Sequence, residues 1–209
     1  MTNCFLVADE TARQAVLFDA PDHTTAPLLK EAASRGWDLL GLWLTHGHFD
    51  HFADHAAVRQ KFPQAKMVIH PLEEPKTQHP EVQTSLFGLP LDIPPLKADL
   101  LVADGQQLRI GSLEVVVMHT PGHAPGHVVY YFPGEQLLIG GDLIIGGSIG
   151  RTDLPDSDPE QMVESIRRVM SLPPQTRLLG GHGGETTLQE ERENNPFVQE
   201  IVGVQKALG

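Results

Sequence analysis

Six consecutive residues, His46-Gly47-His48-Phe49-Asp50-His51, bring three imidazoles and a carboxylate together. Neutral imidazole and carboxylate are ligands for zinc, iron and manganese. Donors this close in sequence crowd a single tetrahedral ion, so a turn that splays them towards two ions is expected, with Gly47 permitting the tight backbone. Three further candidates lie downstream, each in a Gly- or Pro-rich turn after a strand-like segment. They are His123 in Thr120-Pro121-Gly122-His123, Asp142 in Gly140-Gly141-Asp142, and His182 in Gly180-Gly181-His182-Gly183-Gly184. Together the seven residues could give each of two ions three protein ligands, with one carboxylate shared. An open position would remain for a bridging water, which distinguishes a catalytic from a structural metal site.

The other histidines carry weaker expectations. His55 follows His51 by four residues, but Phe52 stands where a His-Glu-x-x-His motif needs glutamate, so His55 reads as a surface residue or one that supports a ligand. His119 and His127 flank the His123 turn and either support a ligand or simply pack. His23, His70 and His79 read as unrelated to chemistry. Asp19, in Phe18-Asp19-Ala20-Pro21, could orient a ligand histidine, although a turn-forming role is the commoner one. Cys4 reads as a buried apolar residue, and the acidic run 190–193 as a solvated face.

The elements that must position these residues follow from periodicity and punctuation. Strands are expected at 5–8, 15–18, 39–44 and 66–69, the third running straight into the histidine cluster. Helices are expected at 25–35, with a threonine cap and Gly36 as stop, and at 52–61, halted before Pro63. Six prolines between 71 and 97 predict a long surface loop or lid. Short strands follow at 100–102, 113–118, 128–132 and 136–139. The clearest helix has Asp158 as cap, Pro159 at its first position, and Met162, Val163, Ile166, Val169 and Met170 at helical spacing. A strand at 178–179 and a helix over 196–207 close the chain. This order predicts an α/β fold with helices outside sheets, and 209 residues suit one domain spanning 1–209.

A formal net charge of -12 opposes nucleic-acid binding, which needs a basic face. No apolar run approaches the roughly 18 residues of a membrane span, and the N-terminus lacks a signal-peptide pattern. The single cysteine cannot form an internal disulfide, so the cytoplasm is the expected location, with a small molecule as the expected partner.

The seven positions, taken with Thr120-Pro-Gly-His-Ala-Pro-Gly-His127, Gly147-Ser-Ile-Gly-Arg-Thr-Asp153, Gly181-His-Gly-Gly-Glu-Thr-Thr-Leu188 and Glu190-Glu-Arg-Glu-Asn-Asn-Pro-Phe197, resemble the metallo-β-lactamase fold superfamily, an αββα sandwich. Within it the chain is similar to the glyoxalase II-like group, the hydroxyacylglutathione hydrolases, as a short form without their C-terminal helical domain. The resemblance implies that His46, His48 and His123 hold one metal and Asp50, His51 and His182 the other, with Asp142 bridging. It implies a dinuclear hydrolase of thioesters or esters, with zinc the expected metal and iron or manganese compatible. Asp50 would also take a proton during catalysis. The family's lysine-aromatic-tyrosine segment is Arg151-Thr152-Asp153 here, and Arg151 is expected to anchor a substrate carboxylate through its planar fork. Gly150-Arg-Thr-Asp153 also resembles the persulfide dioxygenase branch of the same fold, an oxidoreductase reading with one ferrous ion.

Overall fold

The computed structural model describes residues 1–203. Two sheets lie face to face. The first has five strands in the order β1 (Phe5–Asp9), β2 (Gln14–Phe18), β3 (Asp38–Trp43), β4 (Lys66–Ile69) and β5 (Leu100–Leu101). The β1–β2 pair is antiparallel and the remaining pairs are parallel. The second sheet runs β11 (Thr186–Thr187), β10 (Arg177–Gly180), β9 (Leu137–Gly141), β8 (Val128–Phe132), β7 (Leu113–His119) and β6 (Gln107–Ile110). It is antiparallel except for the β9–β10 pair.

The continuous apolar runs of these strands are explained by burial on both faces. Along β8, Val128, Tyr130 and Phe132 point into the core between the sheets, while Val129 and Tyr131 point to the opposite side. Along β2, Val16 and Phe18 face the same central core, and Ala15 and Leu17 face outward. Helices α1 (Thr25–Arg35) and α3 (His55–Lys61) cover that outward side of the first sheet with Leu29 and Val58. Helices α6 (Pro159–Val169), α7 (Leu188–Asn194) and α8 (Pro196–Val202) cover the second sheet with Met162, Ile166, Leu188 and Val198. Helix, sheet, sheet and helix thus form the αββα layering, with three apolar seams.

Several elements differ from the sequence reading. The helix expected over 52–61 is divided into α2 (Phe49–Phe52) and α3, so that part of the histidine cluster is itself helical. The expected threonine cap of α1 is replaced from a distance, because Asp54 accepts hydrogen bonds from the backbone N–H and the hydroxyl of Thr25. The segment 71–97 is not a plain loop: α4 (Glu74–Gln78) and α5 (Pro80–Leu86) form within it. Pro75 and Pro80 sit in their first turns, where a missing N–H costs nothing. Strand β6 was hidden by its polar alternation, with only Leu108 and Ile110 turned inward. The acidic run 190–193 lies on α7, where Thr187 and Glu190 form a reciprocal cap. Asp158 caps α6 as expected, accepting from the N–H groups of Glu160 and Gln161. Positions 204–207 of the expected closing helix lie outside the described residues.

Candidate metal centre

The metal-type residues cluster at one edge of the sandwich because they follow the C-terminal ends of strands from both sheets. His46 follows β3, His123 follows β7, Asp142 follows β9 and His182 follows β10. The two sheets therefore contribute to one site, and all seven sequence-predicted donors meet there. His46, His48 and His123 form one convergent triad and Asp50, His51 and His182 another, with donor atoms in each within 4.8 Å of one another. His46, His51 and Asp142 form a third such group between them.

Donor atoms about 2 Å from a shared tetrahedral ion stand roughly 3.3 Å apart. His48 Nδ1 lies 2.9 Å from His123 Nε2, and His182 Nε2 lies 3.2 Å from Asp142 Oδ2. His123 Nε2 is 3.6 Å from the same Asp142 oxygen, and His51 Nε2 is 3.5 Å from the other. Asp50 Oδ2 lies 3.6 Å from His182 Nε2 and 3.7 Å from His51 Nε2. His46 Nε2, His51 Nε2 and Asp142 Oδ1 are buried with no hydrogen-bond partner. An orphaned buried polar atom costs about 1–3 kcal/mol, and three converging on one point make a donor set that a divalent cation would satisfy.

The outward nitrogens of four of the five rings are fixed. Thr45 Oγ1 lies 3.0 Å from His46 Nδ1 and donates to Asp19 Oδ2 at 2.9 Å, while Asp19 Oδ1 accepts from the Thr45 N–H at 2.8 Å. His51 Nδ1 donates to Asp19 Oδ2 at 2.8 Å, His123 Nδ1 to the carbonyl of Arg151 at 2.9 Å, and His182 Nδ1 to that of Met1 at 3.1 Å. Such contacts set the tautomer and leave Nε2 as the free lone pair. Asp19 is thus an orienting residue rather than a mere turn former, and at a left-handed φ of 58° it reaches His51 directly and His46 through Thr45.

Burial, reinforced by neighbouring imidazoles, holds His46 and His48 well below the usual histidine range. Burial also lowers His123. Burial opposes charge on His51, but Asp142 and Asp19 outweigh it and raise this ring well above the ordinary value. The hydrogen bond to Asp142 raises His182. Asp142 is held well below the carboxylate range because His51 and His182 outweigh its burial.

Sequence reasoning missed the groups that tie these loops together. Glu73, fully buried in the Pro-rich segment, accepts from the N–H of Gly47 at 2.9 Å and from that of Gly126 at 2.7 Å. It joins the His48 turn to the His123 turn, and Lys76 balances its charge at 3.1 Å while reaching Asp156 at 2.5 Å. A side chain on Gly47 would collide with Glu73, which explains that glycine better than turn geometry does. A Cβ on Gly181 would strike Asp142 and His51. Gln83 of α5 accepts from Phe49 N–H and donates to the Gly47 carbonyl, clasping the backbone on both sides of His48. His127, buried and pushed down to about 3 by burial and by His123, accepts from the Asp142 N–H at 3.0 Å.

The remaining candidate residues lie outside the donor set. His55 is neither a surface residue nor a support for a ligand: it is buried, with Nδ1 on the Phe52 carbonyl. His70 stacks on His119 with ring centroids 4.4 Å apart, and neither belongs to the donor groups. Cys4 is half-buried and donates to the Asp19 carbonyl, with burial pushing its thiol up. Glu191, within the run read as a solvated face, is buried and accepts from the Gly147 N–H and from Asn195. Arg151 lines the cavity beside the donor set, and both oxygens of Asp153 bind its guanidinium. No helix among the described residues is long and apolar enough to cross a membrane.

The chain is similar to known proteins in sequence and in fold. The chain is 34% identical over 197 residues to the probable metallo-hydrolase YqgX of Bacillus subtilis, covering 93% of this chain and 90% of that one. It is 29% identical to the hydroxyacylglutathione hydrolase GloC of Haemophilus influenzae, covering 94% and 92%. Against the hydroxyacylglutathione hydrolase of Fuscovulum blasticum it is 32% identical, and the match spans 61% of that protein's length. Among solved structures, the BLEG-1 B3 metallo-beta-lactamase superposes with a TM-score of 0.85 at 35% identity over 94% of both chains. TTHA1623 in a di-iron-bound form gives 0.82 at 37%, again over 94% of both. ETHE1 from Myxococcus xanthus gives 0.76 at 26%, over 99% of this chain and 88% of that one. The family model for the metallo-beta-lactamase superfamily matches residues 1–182, a span holding all seven convergent donors, and the chain belongs to that superfamily.

Proposed function

We propose that the protein is a dinuclear-metal hydrolase of a small thioester or ester, glyoxalase II-like in its chemistry. The observation that carries this reading is the meeting of two donor triads at Asp142 on the floor of an open cavity. The names of the hydroxyacylglutathione hydrolase and metallo-hydrolase relatives support it. His46, His48 and His123 would hold one ion, Asp50, His51 and His182 the other, and Asp142 would stand between them. Zinc is the proposed metal, and these donors equally suit the iron named for one structural neighbour.

A bound divalent pair would supply a water acidified from a pKa of 15.7 to about 7 and Lewis-acid polarisation of a carbonyl. The chain's own residues do the rest. The lowered imidazoles present lone pairs rather than protons. Asp50 lines the cavity, with Thr2 donating to its Oδ2 at 2.7 Å. Its carboxylate accepts the proton lost as water attacks the acyl carbon, and returns it to the departing thiolate or alkoxide.

The test is hydrolysis of S-lactoylglutathione beside simple thioesters, esters and lactones, with metals quantified on the same sample. Two ions per chain and turnover that chelation removes and metal restores are expected. One iron per chain with oxygen uptake on glutathione persulfide would replace this reading with the dioxygenase one. Two bound ions and no turnover on any substrate would make the centre non-catalytic.

A further inference from the structure

The cavity above the donor set encloses about 580 Å³ and its wall is unevenly equipped. Apart from five of the seven donor residues, the polar side chains lining it are Gln83 and Arg151, and both already have protein partners. The Gln83 carboxamide uses its oxygen on Phe49 N–H and its nitrogen on the Gly47 carbonyl. The Arg151 guanidinium is forked onto Asp153, through Nε at 2.6 Å and Nη2 at 2.8 Å. Lys76 is turned to Glu73 and Asp156 and does not line the cavity. The remaining wall is apolar, built largely from Phe49, Phe87, Leu89, Ile145, Ile149 and Leu154. Phe87 and Leu89 are 43% and 37% exposed, large apolar surfaces held open at the rim just after α5. Phe49 meets Phe87 with ring centroids 5.8 Å apart, so the rim continues into the ligand turn itself.

Glutathione carries two carboxylates and an ammonium, and each carboxylate removed from water needs an unengaged cation or donor. Among the described residues the cavity wall outside the donor set offers one cation, Arg151, whose charge Asp153 already offsets, so two carboxylates are not both matched. An alkyl chain, in contrast, finds contacts on several sides and releases water from the exposed Phe87 and Leu89. We infer that the cavity selects uncharged thioesters or esters with a short apolar acyl chain over glutathione conjugates, with Phe87 and Leu89 as the specificity-determining wall. This rests on the hydrolase reading.

The test uses the metal-loaded protein and N-acetylcysteamine thioesters from acetyl to hexanoyl, with S-lactoylglutathione and its uncharged counterpart, S-lactoyl-N-acetylcysteamine. Burial of each added methylene should raise kcat/KM by about fourfold until the cavity is filled. The uncharged lactoyl thioester should exceed the glutathione one. Leu89→Asn and Phe87→Asn, both at exposed positions, should cut the rise to about twofold or less per methylene, with bound metal unchanged. Turnover that ignores chain length, or that favours S-lactoylglutathione, overturns the inference and leaves the hydrolase reading intact. A slope that persists in both variants overturns the assignment to Phe87 and Leu89. No hydrolysis of any member by the two-metal protein overturns both.

Discussion

The two donor triads meet at Asp142 but are supported by different parts of the chain. In the first triad His46 and His123 are 0% and 3% exposed and His48 is half-buried, and the outer nitrogens of His46 and His123 rest on Thr45 and on the Arg151 carbonyl. The turns bearing them are joined by buried Glu73. In the second triad only His51 is fully enclosed; the Asp50 and His182 side chains are 34% and 31% exposed. Their supports come from residues 1–3: Thr2 donates to Asp50, Met1 accepts from His182, and Asn3 donates to the Gly180 and Gly183 carbonyls. A ligand held by core contacts is rigid, whereas one held by exposed contacts opens locally at small cost. The first triad should therefore bind its ion more tightly, and the second should exchange.

The sharpest way to break this contrast is Asp142→Ala, which removes the group shared by both triads. Both ions should be lost and hydrolysis abolished, as metal analysis after dialysis would show; retention of one ion would mean that Asp142 does not bridge. Glu73→Ala comes next. It leaves the Gly47 and Gly126 N–H groups unpaired and Lys76 with Asp156 alone, for about 3 kcal/mol of stability. Urea unfolding measures that loss, and competition with a chelator should show the tighter ion weakened more than the looser one. Asp19→Asn weakens the orientation of His51 directly and of His46 through Thr45, so metal affinity should fall about 10- to 100-fold. Calorimetric metal titration that finds only the second ion affected would show that Thr45 orients His46 unaided. The smallest change is Thr2→Val, which removes one hydrogen bond to a half-exposed carboxylate. The looser ion should weaken by about tenfold with the tighter one unchanged; an equal effect on both would erase the proposed asymmetry.

Much of the candidate site was legible because metal-type residues are conspicuous by type and spacing. His46 to His51 is dense enough to be seen without a fold, and the turns at His123, Asp142 and His182 advertise themselves through glycine and proline. The supports were not visible. Glu73 lies 26 residues from Gly47 and 53 from Gly126, in a segment whose prolines suggested a loop. Asp19 looked like a turn residue because its partners, Thr45 and His51, are reached only when β2 and β3 pair in parallel. Glu191 looked solvated because a charge run gives no sign that one member points inward.

From the sequence alone came the ligand types, the strands that lead into them and the α/β layering, since periodicity and donor chemistry are local properties. Tertiary structure alone decided which nitrogen of each ring is free, which buried carboxylate joins the turns, and that Arg151 already has its partner in Asp153. Those outcomes depend on distances between residues far apart in the chain, and hydrogen bonds and ion pairs act only over a few ångströms.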